Sequence, residues 1–139
     1  MVRALSEVSV GDTVGPVTVP VTREVLVAYA AASGDQNPIH QDEDFARSVG
    51  LPDVIAHGMW TMGAAGSVVA DWAGDAGRVV EYGTRFTKPV VVPAAGAEIV
   101  VQGVVKAVDG DTGRVTVDLT TTAGGEKVLG RCLAVVRLD

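Results

Sequence analysis

The sequence predicts an α+β fold in which one buried helix is wrapped by a curved antiparallel sheet of about five strands. Two observations carry this prediction. Residues 58–72 contain no charged side chain before Asp71, so a helix there is apolar on nearly every face. The second half of the chain then alternates Val- and Thr-rich segments with Gly-containing turns, which is typical of sequential strands.

Composition places the chain among ordinary globular proteins and excludes several classes. Its 139 residues suit one domain over residues 1–139, with 47% hydrophobic and 20% charged side chains. A net charge of −6 without a Lys/Arg cluster argues against a nucleic-acid partner. No uncharged run is long enough for a membrane span, and no signal core is visible at the start. We therefore expect a soluble cytoplasmic protein.

The Cys and His content bears on disulfides and metals. A single cysteine, Cys132, cannot form an internal disulfide. Two histidines and one cysteine supply no four-ligand zinc site without several carboxylates. We expect neither a metal nor a cofactor.

The first third of the chain contains an edge strand and two helices. Residues 7–20 carry a short β pattern, which we interpret as an edge strand or arm. Thr22 resembles an N-cap, and apolar residues at helical spacing predict a helix over residues 21–33 that stops at Gly34. Turn-forming residues follow at 35–38, and acidic residues at 42–44 predict a second short helix that ends near residue 50.

The rest of the chain supplies the central helix and its sheet. Because the helix at 58–72 is apolar all round, we expect protein to surround it. Four strands and their turns at 109–111 and 124–125 predict an antiparallel meander. The predicted strands are residues 78–89, 97–108, 114–123 and 127–138.

Asp35 and His40 stand five residues apart on the loop that follows the first helix. A carboxylate and an imidazole in one compact turn, stiffened by Pro38, can act together as acid and base on a small group. The spacing alone leaves an alternative open. In that alternative Asp35 caps a turn, Asn37 forms an Asx-turn and His40 is a solvated loop histidine.

The start of the central helix is the second candidate feature. The N–H of Gly58 lies at the positive end of the helix, where it can bind a developing oxyanion. His57 is predicted to hold the helix entry by hydrogen bonding, and a catalytic role is the alternative. Met59, Trp60 and Met62 have the spacing of core residues, and they can instead line an apolar pocket beside Gly58.

Three linked motifs are similar to one known family. Residues 29–46 contain Ser-Gly-Asp-Gln-Asn-Pro-Ile-His, which resembles the hydratase-2 motif of the MaoC-like dehydratases. Residues 56–59, Ala-His-Gly-Met, resemble that family's helix entry, and residues 85–90 resemble its Arg-Phe-x-x-Pro-Val strand. The resemblance covers most of the chain. A narrower similarity is to the catalytic B subunits of (3R)-hydroxyacyl-ACP dehydratases of mycolic-acid-type fatty acid synthesis.

The resemblance implies a hot-dog fold and acid–base chemistry in fatty acid metabolism. The implied substrate is a (3R)-hydroxyacyl or trans-2-enoyl thioester of acyl carrier protein or coenzyme A. His40 would exchange the C2 proton, Asp35 would handle hydroxyl or water, and Asn37 would orient the water or the pair. The implied assembly is a homodimer, or a heterodimer with a paralogous hot-dog subunit. Trp60 would shorten the acyl pocket.

Two other functions stay open at this point. A hot-dog thioesterase typically carries an acidic residue on the central helix, where the sequence offers only Asp71 at the far end. A non-catalytic acyl-binding partner subunit would need neither Asp35 nor His40.

Overall fold

The computed structural model describes residues 1–139 and contains one antiparallel sheet, three α-helices and three short 3-10 turns. The 3-10 turns are Leu5–Glu7, Pro38–His40 and Ala76–Arg78. In chain order the other elements are β1 (Thr13–Val21), α1 (Arg23–Ser33), α2 (Glu43–Ser48), α3 (Gly58–Ala73), β2 (Val79–Phe86), β3 (Ala97–Asp109), β4 (Arg114–Ala123), β5 (Glu126–Lys127) and β6 (Leu129–Arg137). The spatial strand order is β1-β3-β4-β6-β2, and β5 pairs with β4.

The structure confirms the strands and corrects their order. As predicted, β3, β4 and β6 follow one another as antiparallel neighbours, and β1 lies at an edge. The predicted meander is wrong for β2, which pairs with β6 at the opposite edge instead of with β3. Pro89 and Pro93 lie in the connection at residues 87–96, where they lack N–H donors and disfavour a tight hairpin.

Helix α1 begins two residues later than predicted, because Val21 is still paired with Ala97 in the sheet. Thr22 caps the helix as expected, and its Oγ1 accepts a hydrogen bond from the Val25 N–H (3.2 Å). Gly34 ends it with φ +80°, a left-handed conformation that glycine adopts without a Cβ penalty. The chain then turns into the loop that carries Asp35 and His40.

Helix α3 is the central helix, and it is less enclosed than its composition predicts. One face packs into the core through Thr61, Ala65 and Val69, which are buried. The opposite stripe is open to solvent and repeats every fourth residue, starting at Met59, which is 58% exposed. The prediction of a central helix wrapped by the sheet is therefore confirmed, except for this one stripe, which a single chain leaves uncovered. None of the three helices is both long enough and apolar enough to cross a membrane.

A short extended segment, residues 53–56, joins the sheet side of the molecule to the loop after α1. On one side the Val92 N–H donates to the Val54 carbonyl (2.8 Å). On the other side the Ile55 N–H donates to the Ile39 carbonyl (3.1 Å). The segment therefore fixes the position of the 3-10 turn Pro38–His40 relative to α3. Helix α3 begins at Gly58, shortly after the segment ends.

Candidate active site

His40 lies at the end of the 3-10 turn and is 7% exposed, so the solvated loop histidine of the alternative interpretation is not what the structure shows. Its Nδ1 is 2.7 Å from the Ile55 carbonyl. A carbonyl only accepts, so Nδ1 carries the proton and the Nε2 lone pair of neutral His40 is free. The pKa of His40 is lowered, and the main cause is burial. The neighbouring His57 lowers it further, while the hydrogen bond to Ile55 and the charge of Asp35 act in the opposite direction.

Asp35 points at the free nitrogen of His40. Its Oδ2 lies 3.9 Å from His40 Nε2, and its side chain is 53% exposed. The other oxygen, Oδ1, accepts a hydrogen bond from the Asn37 N–H (3.1 Å), while Asn37 Oδ1 accepts from the Ile39 N–H (3.2 Å). The first of these Asx-turns holds the Asp35 carboxylate against the loop backbone, and the second holds the Asn37 side chain. Asp35 and Asn37 thus form the turns that the alternative interpretation expected, and Asp35 also lies close to His40.

His57 stacks on His40 from the helix side. The ring centroids are 3.7 Å apart with 21° between the planes, and Tyr29 contacts His57 edge-on at 4.8 Å. His57 is 2% exposed, and its Nε2 donates to the Asp35 backbone carbonyl (3.1 Å). The Nδ1 of His57 is buried without a partner. His57 therefore ties the entry of α3 to the loop that carries the acid and the base.

Gly58 and His40 line the same cavity, which has a volume of about 370 Å³. Gly58 is the first residue of α3, and the first hydrogen bond of the helix is donated by Thr61 to the His57 carbonyl (3.2 Å). The Gly58 N–H thus lies before the intrahelical ladder, at the positive end of the helix. A Cβ on Gly58 would lie 3.0 Å from the Phe86 ring, so glycine permits this close packing.

The apolar wall of the cavity is built from residues that sequence reasoning did not assign. They include Thr61, Phe86, Val90, Val128 and Leu129. Met59, Trp60 and Met62 do not line it: Met59 is exposed and Trp60 packs against the core. Substrate contacts by these three residues stay a prediction. Phe86 belongs to the Arg-Phe motif, so the sequence marked it as a residue of interest. The spacing of the sequence did not predict that Phe86 lies next to Gly58.

Asp35, His40 and His57 offer donor atoms within 4.8 Å of one another, the number and kind that a metal ion could use. The ring geometry argues against one ion bound by both imidazoles. Their lone pairs lie in the ring planes, and in stacked rings these planes run side by side instead of meeting at a point. His57 Nε2 is also occupied by the Asp35 carbonyl. The arrangement fits acid–base work better than metal binding.

The acidic residue that a thioesterase would need is far from this site. Asp71 is thirteen residues after Gly58 in α3, which at 1.5 Å per residue is about 20 Å along the helix. It is exposed and does not line the cavity. The structure therefore places no carboxylate of α3 beside His40.

The fold and the site define a class: a hot-dog domain in which a carboxylate and an imidazole lie close together near the start of its central helix. Over 95% of this chain the fold matches that of the (R)-hydratase from A. caviae involved in PHA biosynthesis, with a TM-score of 0.84, 25% identity and 98% of that chain covered. Residues 6–124 match the model of the MaoC like domain. The chain belongs to the MaoC-like domain family.

Two longer relatives show how much of a whole protein this chain represents. It is 41% identical over 83 residues to 3-hydroxyacyl-thioester dehydratase X of Mycobacterium tuberculosis, which covers 60% of this chain and 29% of that relative. A solved MaoC-like dehydratase superposes on 99% of this chain with a TM-score of 0.97 and 41% identity, and 43% of that chain is covered. The chain therefore spans less than half the length of either protein.

Proposed function

We propose that the chain is a hydro-lyase that interconverts (3R)-hydroxyacyl and trans-2-enoyl thioesters by general acid–base catalysis. The observation that carries the proposal is the convergence of His40 Nε2 and Asp35 Oδ2, 3.9 Å apart, at a cavity that His40 and Gly58 both line. The names of the relatives support it, since they include a thioester dehydratase and an (R)-hydratase.

In the dehydration direction the base is His40. Its Nδ1–H is donated to Ile55, so the Nε2 lone pair is available to take the proton from C2. The lowered pKa of His40 keeps the ring neutral, which is the form a base needs. The C2–H electron pair becomes the second bond between C2 and C3, and the C3–O bond breaks with its electron pair leaving on the oxygen.

Asp35 completes the reaction at C3. The departing hydroxyl needs a proton, and Asp35 can deliver it because its Oδ2 is near enough to His40 to exchange protons through one water or a small rotation. One proton leaves C2 and one reaches the hydroxyl, so water is released and the protein ends unchanged. Hydration follows the same steps in reverse. Asn37 acts through its N–H, which holds the Asp35 carboxylate.

The thioester carbonyl gains negative charge when C2 loses its proton. A helix N-terminus is suited to bind that charge, because its first N–H groups lack intrahelical acceptors and the helix dipole is positive there. Gly58 is the first residue of α3, so it carries such a group, and it lines the same cavity as His40. Donors already aimed at the developing oxyanion stabilise the transition state more than the ground state.

A partner subunit is part of the proposal. Strand β2 is an edge of the sheet, and two apolar residues on it, Val80 and Phe86, are exposed. An unpaired edge beside exposed apolar side chains favours pairing with another chain. We propose a second copy or a paralogous hot-dog subunit there. The acyl carrier (acyl carrier protein or coenzyme A), a role in fatty acid metabolism, a cytoplasmic location and the narrower similarity to B subunits stay predictions.

The purified chain tests the proposal through its reaction with crotonyl-CoA. We expect the absorbance of the conjugated enoyl thioester to fall while a thiol reagent detects no free coenzyme A. Thiol release without loss of the double bond would indicate a thioesterase. No reaction, alone or with a paralogous subunit, would favour a non-catalytic acyl-binding role.

Replacing either side chain of the pair tests its part in the mechanism. We expect Asp35→Ala and His40→Ala each to reduce the hydration rate by about 10²–10⁴-fold, the usual range for general acid–base groups. The matched control is Asp44→Ala, which removes an exposed carboxylate from the neighbouring helix α2. Circular dichroism checks that all variants fold. Wild-type turnover in either site variant would remove that residue from the mechanism.

A further inference from the structure

The guanidinium of Arg23, at the start of α1, binds three separate parts of the chain. Its Nη2 lies 2.7 Å from Asp53 Oδ1, and its Nη1 lies 3.1 Å from Oε2 of Glu43, the first residue of α2. Its Nε donates to the Val92 carbonyl (3.2 Å). These contacts connect both helices that flank the loop of Asp35 and His40 to the segment at residues 53–56.

A short path of contacts leads from this ion pair to His40. Asp53 Oδ1 also accepts a hydrogen bond from the Val54 N–H (2.8 Å), and the next carbonyl, that of Ile55, accepts the Nδ1–H of His40 (2.7 Å). Asp53 is buried, at 9% exposure, and a buried carboxylate without a close cation is strongly unfavourable. Arg23 therefore determines where Asp53 sits, and Asp53 anchors the segment that holds the His40 ring.

We infer that Arg23 and Asp53 are positioning residues for His40. Their ion pair fixes residues 53–56 so that the Ile55 carbonyl receives the Nδ1–H of His40 and leaves Nε2 as the free base beside Asp35. This inference deepens the proposed function and rests on it, because the orientation of His40 matters for catalysis only if His40 is the base. Displacements of about 1 Å in such a group can cost up to about 10²-fold in rate.

Arg47 supplies a matched control within the same cluster. Its Nη2 lies 2.6 Å from Glu43 Oε1 and 3.7 Å from Asp53 Oδ2, and its side chain is 52% exposed. Its Nε donates to the Pro52 carbonyl (3.3 Å), whereas the Nε of Arg23 donates to the Val92 carbonyl. Arg47→Met therefore removes the same charge as Arg23→Met but leaves the 2.7 Å pair between Arg23 and Asp53 intact.

The test combines the tautomer of His40 with turnover, using the full chain. The sequence has only two histidines, so in protein labelled with ¹⁵N-histidine the His40 signals are assigned by their loss in His40→Gln. At about pH 8, where an ordinary imidazole is neutral, we expect wild type and Arg47→Met to show the Nδ1–H tautomer. Arg23→Met should show a mixture of tautomers, with kcat for crotonyl-CoA hydration reduced about 10- to 100-fold.

A second variant covers the case in which Arg23→Met does not fold. Asp53→Asn keeps an oxygen for the Val54 N–H but loses the charge, and we expect a smaller change in the same direction. The inference is overturned if the folded variants keep the wild-type tautomer and kcat, or if Arg47→Met changes both as much as Arg23→Met. A wild type that does not hydrate enoyl thioesters would remove the proposed function, while the tautomer comparison would still test the positioning.

Discussion

At the scale of single residues, the environment of His40 decides which chemistry it can perform. The Ile55 carbonyl fixes the proton on Nδ1, and burial beside a second imidazole disfavours the charged ring. The sequence predicted the pairing of Asp35 with His40, because five residues in a proline-containing turn keep both groups together. It could not predict the stack on His57 or the Ile55 acceptor, since these contacts join parts of the chain that only the tertiary fold brings together.

The lowered pKa of His40 leads to a pH prediction for dehydration. A base must be neutral, so activity is lost when His40 becomes protonated, and a pKa below 6.5 moves that loss to lower pH. We expect the acidic limb of kcat/KM for a (3R)-hydroxyacyl thioester to have its midpoint below 6.5, the ordinary value for histidine. A midpoint above 6.5 would contradict the environment described for His40.

At the scale of elements, helix α3 shows what apolar composition does and does not specify. The run of uncharged residues from Gly58 gave the position of the helix closely, and Gly74 ends it one residue after Ala73. Composition could not tell which face meets the sheet, because glycine and alanine occur on both sides. The strand order was also beyond local patterns, since the connection at residues 87–96 has no turn signal that fixes which neighbour β2 takes.

Two glycines of α3 give a stability prediction with opposite signs. A Cβ at Gly66 would lie 2.8 Å from Cε2 of Tyr82, whose hydroxyl donates to the Met62 carbonyl and so holds the ring in place. We expect Gly66→Ala to lower the free energy of unfolding by about 1–3 kcal/mol through overpacking. An added Cβ at Gly63 has no atom within 4 Å, so we expect Gly63→Ala to raise the free energy of unfolding by up to about 1 kcal/mol.

Urea denaturation of both variants and wild type measures the difference. Equal effects of the two substitutions would mean that helix propensity alone governs α3 and that the contact of Gly66 with Tyr82 is unimportant.

At the scale of the whole molecule, the proposed contact with a partner subunit is at the edge strand β2. Val80 is 44% exposed on this edge strand, and Val104 is 43% exposed on β3, which has a neighbour on both sides. We expect the wild-type chain to have twice its 14.2 kDa mass by light scattering, and Val80→Lys to shift it toward the monomer because a charge disfavours edge pairing.

Val104→Lys is the control for this experiment, since it adds the same charge at a similar exposure away from the edge. If the wild-type chain is a monomer, a second copy is excluded as the partner and only a paralogous subunit remains. A Val80→Lys dimer as stable as wild type would show that β2 is not the contact.

In the proposed mechanism His40 transfers the C2 proton while Asp35 handles water at C3, with the carbonyl bound at Gly58. Hydration of crotonyl-CoA in D₂O tests it most directly, with the product analysed by NMR for wild type, Asp35→Ala and His40→Ala. We expect a (3R)-hydroxy product with one deuterium at C2 on a single face, formed about 10²–10⁴-fold more slowly by either variant. Deuterium on both faces of C2, or equal rates for wild type and His40→Ala, would contradict it.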